Sequence, residues 1–150
     1  MKIIVDADAC PVVDHTIAVA KLYEIKVLLV KSYSHFSLVE YPDHVEVSYV
    51  DPGHDAADYK IVGLSSANDI IVTQDYGLAA LALEKGCQVI HHVGFIYSKD
   101  KIDQMLEDRH FSAQARKAGL RTKGPKKLKA EQKEHFAKNL RKLCEASKQD

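Results

Sequence analysis

Five aspartates carry the chemistry that this chain offers. Ile3, Ile4 and Val5 run into Asp6-Ala7-Asp8, and Ile70, Ile71 and Val72 run into Thr73-Gln74-Asp75. Between them lies His54-Asp55-Ala56-Ala57-Asp58. Apolar runs of strand length that end in acids put those acids at the carboxyl edge of a sheet, where open α/β folds bind ligands. Asp6 and Asp8, at i and i+2, share one side of the strand exit if the chain stays extended there. Asp55 and Asp58, at i and i+3, share a helix face. Two like charges ~4 Å apart repel by roughly 1 kcal/mol in water and about 4 kcal/mol at an effective dielectric near 20. A cluster of this kind calls for a counterion, and oxygen-only donors suit Mg²⁺ or Mn²⁺ better than zinc. The competing reading makes the acids caps and turn formers, since helix N-termini favour acids. It fits Asp69, at the wrong end of its strand, and Asp51, before Pro52-Gly53.

The elements that must position these acids follow from periodicity. Strands are expected over 1–5, 26–31, 45–50, 69–73 and 87–93. Helices are expected from Pro11 to about Glu24, His54 to about Ser65, Leu78 to Lys85, Lys99 to Ala118 and Lys129 to about Ser147. Leu120 to Lys127, with Gly124-Pro125 and no apolar period, reads as a loop. Strands alternating with helices imply βαβ units and a mainly parallel five-stranded sheet.

The chain has 150 residues, 46% of them hydrophobic. That length gives one domain without staples, and that composition excludes general disorder. No run approaches ~20 apolar residues and no signal peptide is visible, so a cytoplasmic location is expected. The three cysteines, Cys10, Cys87 and Cys144, are far apart and suggest buried thiols. The net charge of zero hides an asymmetry. Residues 109–150 hold 13 Lys and Arg against four acids, whereas residues 1–108 hold eight against 17. The chain therefore divides into an α/β core, 1–108, and a basic loop-and-helix extension, 109–150, packed on the same domain. A basic tail on an acidic body suggests a polyanionic partner; the alternative is a solvated helical face.

Other candidates carry less. His91-His92 ends the fifth strand, as a ligand contact or, the plainer reading, as hydrogen-bonded edge histidines; Ser32, Ser34 and His35 follow the second, either as substrate contacts or as an ordinary polar loop. Cys10 has no histidine placed to activate it. Gly53 and Gly63 do not make a phosphate loop.

Several stretches together carry a resemblance: Val5 to Val12, Asp55 to Asp58, Val72 to Ala79, Gly94 and Tyr97, Arg116 to Gly119, Arg121 to Pro125, and Phe136. Over its whole length the chain resembles the YaiI/YqxD family of uncharacterised bacterial proteins, which looks like an outlying branch of the PIN-like nuclease superfamily. The resemblance implies a PIN-like three-layer sandwich and a metal-dependent phosphodiesterase acting on RNA or structured DNA, with RNA favoured. PIN-like domains use a strand-one acid, a central helix acid and Ser/Thr-x-Asp after strand four. Asp6, Asp55 or Asp58, and Thr73-Gln74-Asp75 stand in those places. Asp8 and the basic segment depart from the pattern.

The expected site is then Asp6, Asp8, Asp55, Asp58 and Asp75 around one or two Mg²⁺ or Mn²⁺ ions. Asp6 and Asp75 are catalytic, and Thr73 orients a carboxylate or a water. Arg121, Lys123, Lys126 and Lys127 hold the phosphate backbone. Two alternatives stand beside this reading. One is a non-catalytic nucleic-acid-binding protein. The other is a haloacid-dehalogenase-like phosphatase with Asp6 as nucleophile, which lacks a fitting late acidic pair because Asp100 and Asp103 lie in an expected helix.

Overall fold

The computed structural model describes residues 1–53, 55–117 and 128–148, with side chains described outside 110–117. Element order is β1 (Lys2–Asp6), α1 (Val13–Leu22), β2 (Lys26–Ser32), β3 (Val45–Val50), α2 (Ala56–Leu64), β4 (Ile70–Val72), α3 (Tyr76–Glu84), β5 (Gln88–Ile90), α4 (Lys99–Lys117) and α5 (Ala130–Lys148). One 3₁₀ turn, Tyr33–His35, follows β2.

The strands form one sheet in the order β3-β2-β1-β4-β5. All four pairings are parallel. Parallel strands need crossover connections, which put helices on both faces and bury the central strands completely. Ile3, Ile4 and Val5 of β1, and Ile70, Ile71 and Val72 of β4, accordingly have no exposed surface. Strand alternation divides them into two cores. Ile3, Val5, Ile70 and Val72 pack with Val19 and Ala20 of α1 and with Phe136 and Leu140 of α5. Ile4 and Ile71 pack with Ile61 of α2, Leu78 and Ala82 of α3 and Ile102 of α4. The fold is thus a three-layer α/β sandwich with an all-parallel five-stranded sheet. Among the described residues no helix is long and apolar enough to cross a membrane.

Several boundaries shift by a residue or more, among them the starts of α1 at Val13 rather than Pro11 and of α2 at Ala56 rather than His54, which leaves Asp55 just outside its helix; two further shifts have clear local causes. α3 begins at Tyr76 rather than Leu78, because the Asp75 carboxylate caps it by accepting from the Gly77 and Leu78 N–H groups at 2.8 and 3.3 Å. β5 stops at Ile90, not at 93. There the chain doubles back: Phe95 O accepts from His91 N, Tyr97 N donates to Val89 O, and Ile96 makes an isolated antiparallel bridge to Ile90. Gly94, at φ 107°, makes that reversal. The Gly94 carbonyl also accepts from the Asn139 side chain of α5 at 2.5 Å.

The division expected after residue 108 falls inside α4, so the basic segment begins within a helix. Its later part, α5, lies against α1, where Tyr23 donates to Glu145 at 2.7 Å and His15 approaches Glu134 at 3.7 Å. Phe136, Ala137, Leu140, Leu143 and Cys144 form its buried face. Full burial of each larger side chain among them is worth roughly 1.5–3 kcal/mol.

Candidate functional site

Register sets the first part of the site. Val5 pairs with Val72, so Asp6 and Thr73 leave their strands side by side. Thr73 is fully buried, and its hydroxyl donates to Asp6 Oδ2 at 3.0 Å. The Thr73 hydroxyl oxygen also accepts the Asp75 N–H at 3.0 Å. Asp75 turns its Oδ1 into the first turn of α3. The Thr-x-Asp spacing therefore fixes two acids with one hydroxyl.

The second part comes from α2. Asp58 lies in its first turn, and Asp55 is its N-cap residue, with backbone at φ 66°. Aspartate tolerates that left-handed conformation better than most residues. Asp58, Asp55 and Asp75 line one shallow depression of about 270 Å³, with Tyr59 and Leu81 at its rim.

These acids feel one another. Asp58 is pushed up to about 6, first by burial, then by the charges of Asp75 and Asp6, by a hydrogen bond to Asp75 and by Asp55. Asp6 is also raised, chiefly by burial and further by Asp75 and Asp8, although the Thr73 hydrogen bond opposes the shift. Among the described residues no lysine or arginine pairs with Asp6, Asp58 or Asp75. Desolvation alone would let a single acid stay protonated; two raised acids that both feel the charge of Asp75, with no basic partner among the described residues, are short of positive charge. Their donor set, carboxylate oxygens beside one hydroxyl, fits a hard divalent cation in kind and in charge. It is not a closed shell as it stands: among the described residues no three His, Cys, Asp or Glu side chains are grouped to hold an ion.

Of the five expected acids, Asp55, Asp58 and Asp75 line the depression, Asp6 is joined to Asp75 through Thr73, and Asp8 bonds elsewhere although its charge still raises Asp6. The chain leaves the extended conformation after Asp6, so the strand alternation that would align Asp8 with Asp6 no longer applies. Asp8 instead accepts from Ser32 N at 2.9 Å and meets His35 Nδ1 at 3.2 Å. Asp69 is structural: it is buried, and its carboxylate accepts from Lys2 N, Lys2 Nζ and Ser66 N. Burial raises its pKa, but these bonds win and hold it below the usual carboxylate range. Cys10 is pushed up to about 12 by burial, so it is not a thiolate. His91 and His92 are both lowered to about 4, mainly by burial. Arg121, Lys123, Lys126 and Lys127 lie outside the described residues.

Sequence reasoning missed one cation at this edge. Arg109 of α4 hydrogen-bonds the Tyr76 hydroxyl and sits 5.5 Å from the centre of its ring. Tyr76 immediately follows Asp75 and opens α3, so the guanidinium is held at the start of that helix. Nothing in α4's pattern singles Arg109 out from the other basic residues of the segment; only the fold brings it to Tyr76.

A model of the uncharacterised YaiI/YqxD family matches residues 4–146. UPF0178 proteins of Oceanobacillus iheyensis and Bacillus cereus are 58% and 59% identical over 136 residues, which cover 91% of this chain and 93% of each relative. Among solved structures, a mutant of Rae1 (YacP) from Bacillus subtilis aligns with 98% of this chain and 99% of its own. Its identity is 16% and its TM-score 0.44.

Proposed function

The chain belongs to the YaiI/YqxD family, and we propose that it is a metal-dependent phosphodiesterase that cleaves nucleic acid, RNA in preference to DNA. The observation that carries this reading is the geometry of the acids: the Thr73 hydroxyl joins Asp6 to Asp75, Asp55, Asp58 and Asp75 line one depression, and among the described residues no basic side chain pairs with Asp6, Asp58 or Asp75. Asp6, Asp58 and Asp75 would hold Mg²⁺ or Mn²⁺, with Asp55 beside them and Asp8 in an outer position. When bound, such an ion supplies Lewis-acid stabilisation of phosphate charge and makes water a better nucleophile at neutral pH.

The chain's own residues do the rest. Thr73 holds Asp6 in one orientation through its hydroxyl. The cap of α3 does the same for Asp75. Arg109, set against Tyr76, is within reach of a phosphate next to the acids and adds a fork of donors for its oxygens. Arg121, Lys123, Lys126 and Lys127 contribute backbone contacts that carry no sequence information.

The test is cleavage of a mixed panel of RNA and DNA with Mn²⁺, using wild type beside Asp75→Asn. Metal-dependent cleavage by wild type alone is the expected result. Equal residual cleavage by both proteins would mean a contaminant and overturn the assignment. Metal binding has its own readout. A ligand that binds only the folded state stabilises it by about 2.7 kcal/mol at 100 times Kd, so millimolar Mn²⁺ raises Tm in wild type and much less in Asp6→Asn.

A further inference from the structure

We propose that Tyr33, Phe36 and Tyr49 form a stacking platform for an unpaired nucleobase, beside the acidic site. The inference rests on the phosphodiesterase reading and adds to it the substrate class: a strand with bases free to leave a duplex.

Three aromatic rings meet at the surface. Tyr33 and Tyr49 stack with centroids 5.4 Å apart and planes 16° from parallel, and Phe36 tilts against Tyr49 at 5.3 Å. Tyr33 is 55% exposed and Phe36 57%. Each ring could bury a large apolar area, and a cluster that leaves this much in water adds little to folding. Aromatic faces that present flat π surface to solvent are the usual means of holding single-stranded nucleic acid, because every base offers a π face.

The platform stands on the edge that carries the acids. Tyr33 directly follows Ser32, the last residue of β2, and Tyr49 is the penultimate residue of β3. Asp6 pairs with Val30, two residues before the end of β2. β3 lies two strands from β1, which is about 10 Å at the usual strand spacing. Asp8 ties the two features together: the carboxylate that follows Asp6 holds Ser32 N and His35, at either end of the short segment that carries Tyr33.

Charge selects the occupant. Lys31 is the register partner of Tyr49, so the two residues stand side by side on the same face of the sheet. Among the described residues it has no ion-pair partner. A flat π surface beside an unpaired cation matches a nucleotide, base on ring and phosphate on lysine. An apolar protein segment would use the rings and leave Lys31 without a counterion.

The test is binding in EDTA, where no cleavage occurs. The probes are a single-stranded RNA carrying 2-aminopurine and a blunt duplex of equal length. The variants are Tyr33→Leu with Phe36→Leu, and Tyr49→Leu separately, because Tyr49 is less exposed and its loss could disturb β3. Wild type should quench 2-aminopurine on binding. The double variant should bind the single strand roughly 5- to 100-fold more weakly, the range for losing one stacked base, and lose the quenching. Duplex affinity should hold, and the salt slope should not change, because stacking releases no counterions. Equal single-strand affinity and quenching in wild type and double variant would overturn the platform while leaving cleavage standing. Wild type that binds no nucleic acid at all would overturn the phosphodiesterase reading and the platform with it. Equal loss on strand and duplex would also overturn it, by showing that the rings support the fold rather than a base.

Discussion

Thr73 donates its hydroxyl hydrogen to Asp6 Oδ2 at 3.0 Å, across the junction of β1 and β4, while accepting the Asp75 N–H. One buried hydroxyl therefore serves two acids that repel each other. Thr73→Val keeps the shape and removes both roles. The Asp75 N–H loses its acceptor, which costs about 1–3 kcal/mol if it stays buried. Asp6 loses the bond that favours its charged form, so its pKa rises further. The expected result is a lower denaturation midpoint and weaker Mn²⁺ binding, with Thr73→Ser recovering both. A Val variant with unchanged metal affinity would show that the hydroxyl only supports the turn.

Asp58 makes the metal-free protein sensitive to pH. Its folded pKa, about 6, lies above the ordinary carboxylate value of 3.8. The folded state therefore binds this proton more tightly than the unfolded chain, and the stability gained is complete below about pH 4. It is lost as pH rises through about 6, and Asp6, also raised, acts in the same direction. His91 and His92, both lowered to about 4, act the other way in the same window, so the Asp58 contribution is read as the difference between wild type and Asp58→Asn in EDTA. The advantage of Asp58→Asn over wild type should grow as pH rises from about 4 to 6.5, and Mn²⁺ should stabilise wild type most at the upper end, where the acids are charged. Urea titrations at several pH values read both. A difference between the two proteins that does not change across this window would contradict the shared environment of Asp6, Asp58 and Asp75.

The fold was largely legible in the sequence because buried parallel strands write themselves as continuous apolar runs, and Ile3 to Val5 and Ile70 to Val72 are such runs. Their ends located Asp6 and Asp75, and the Thr-x-Asp spacing located Thr73. Asp8 lies past the end of β1, where a turn replaces strand alternation, so its bonds to Ser32 and His35 do not follow from its spacing to Asp6. The α3 start was set late because the apolar period marks Leu78, whereas the cap at Asp75 decides the first turn. Arg109 and the Tyr33–Tyr49 pair were not legible at all. The members of each pair are separated in sequence by most of a βαβ unit or by a long loop, and only tertiary packing brings them together.

Gly94 is a point where α5 touches the β5 hairpin. A Cβ there would stand 2.5 Å from His135 Cδ2 and 3.0 Å from Phe136 N, at a backbone φ of 107°. Gly94→Ala combines backbone strain of about 1–2 kcal/mol with overpacking of about 1–3 kcal/mol, so a loss of roughly 2–5 kcal/mol is expected. Because Phe136 N belongs to the helix backbone, trimming His135 to Ala in the same protein should recover only part of it. Full recovery in the double variant would assign the clash to the imidazole alone.

The basic segment should show itself in salt dependence. With roughly six phosphate contacts at ~0.7 per contact on a single strand, log affinity should fall with log salt at a slope near −4. Replacing Lys123, Lys126 and Lys127 together with Ala removes up to three contacts and should flatten the slope by about 2. The loss should be equal across unrelated sequences, since backbone contacts do not read bases. Asp75→Asn, measured in EDTA, should leave the slope nearly unchanged and should not weaken affinity, because the acids serve cleavage and removing one negative charge takes no contact from the strand. The two variants therefore separate binding from chemistry: one loses affinity and keeps its acids, the other keeps affinity and loses turnover. A triple variant with wild-type slope and affinity would mean that these lysines solvate the surface and that other cations, Arg109 among them, hold the strand.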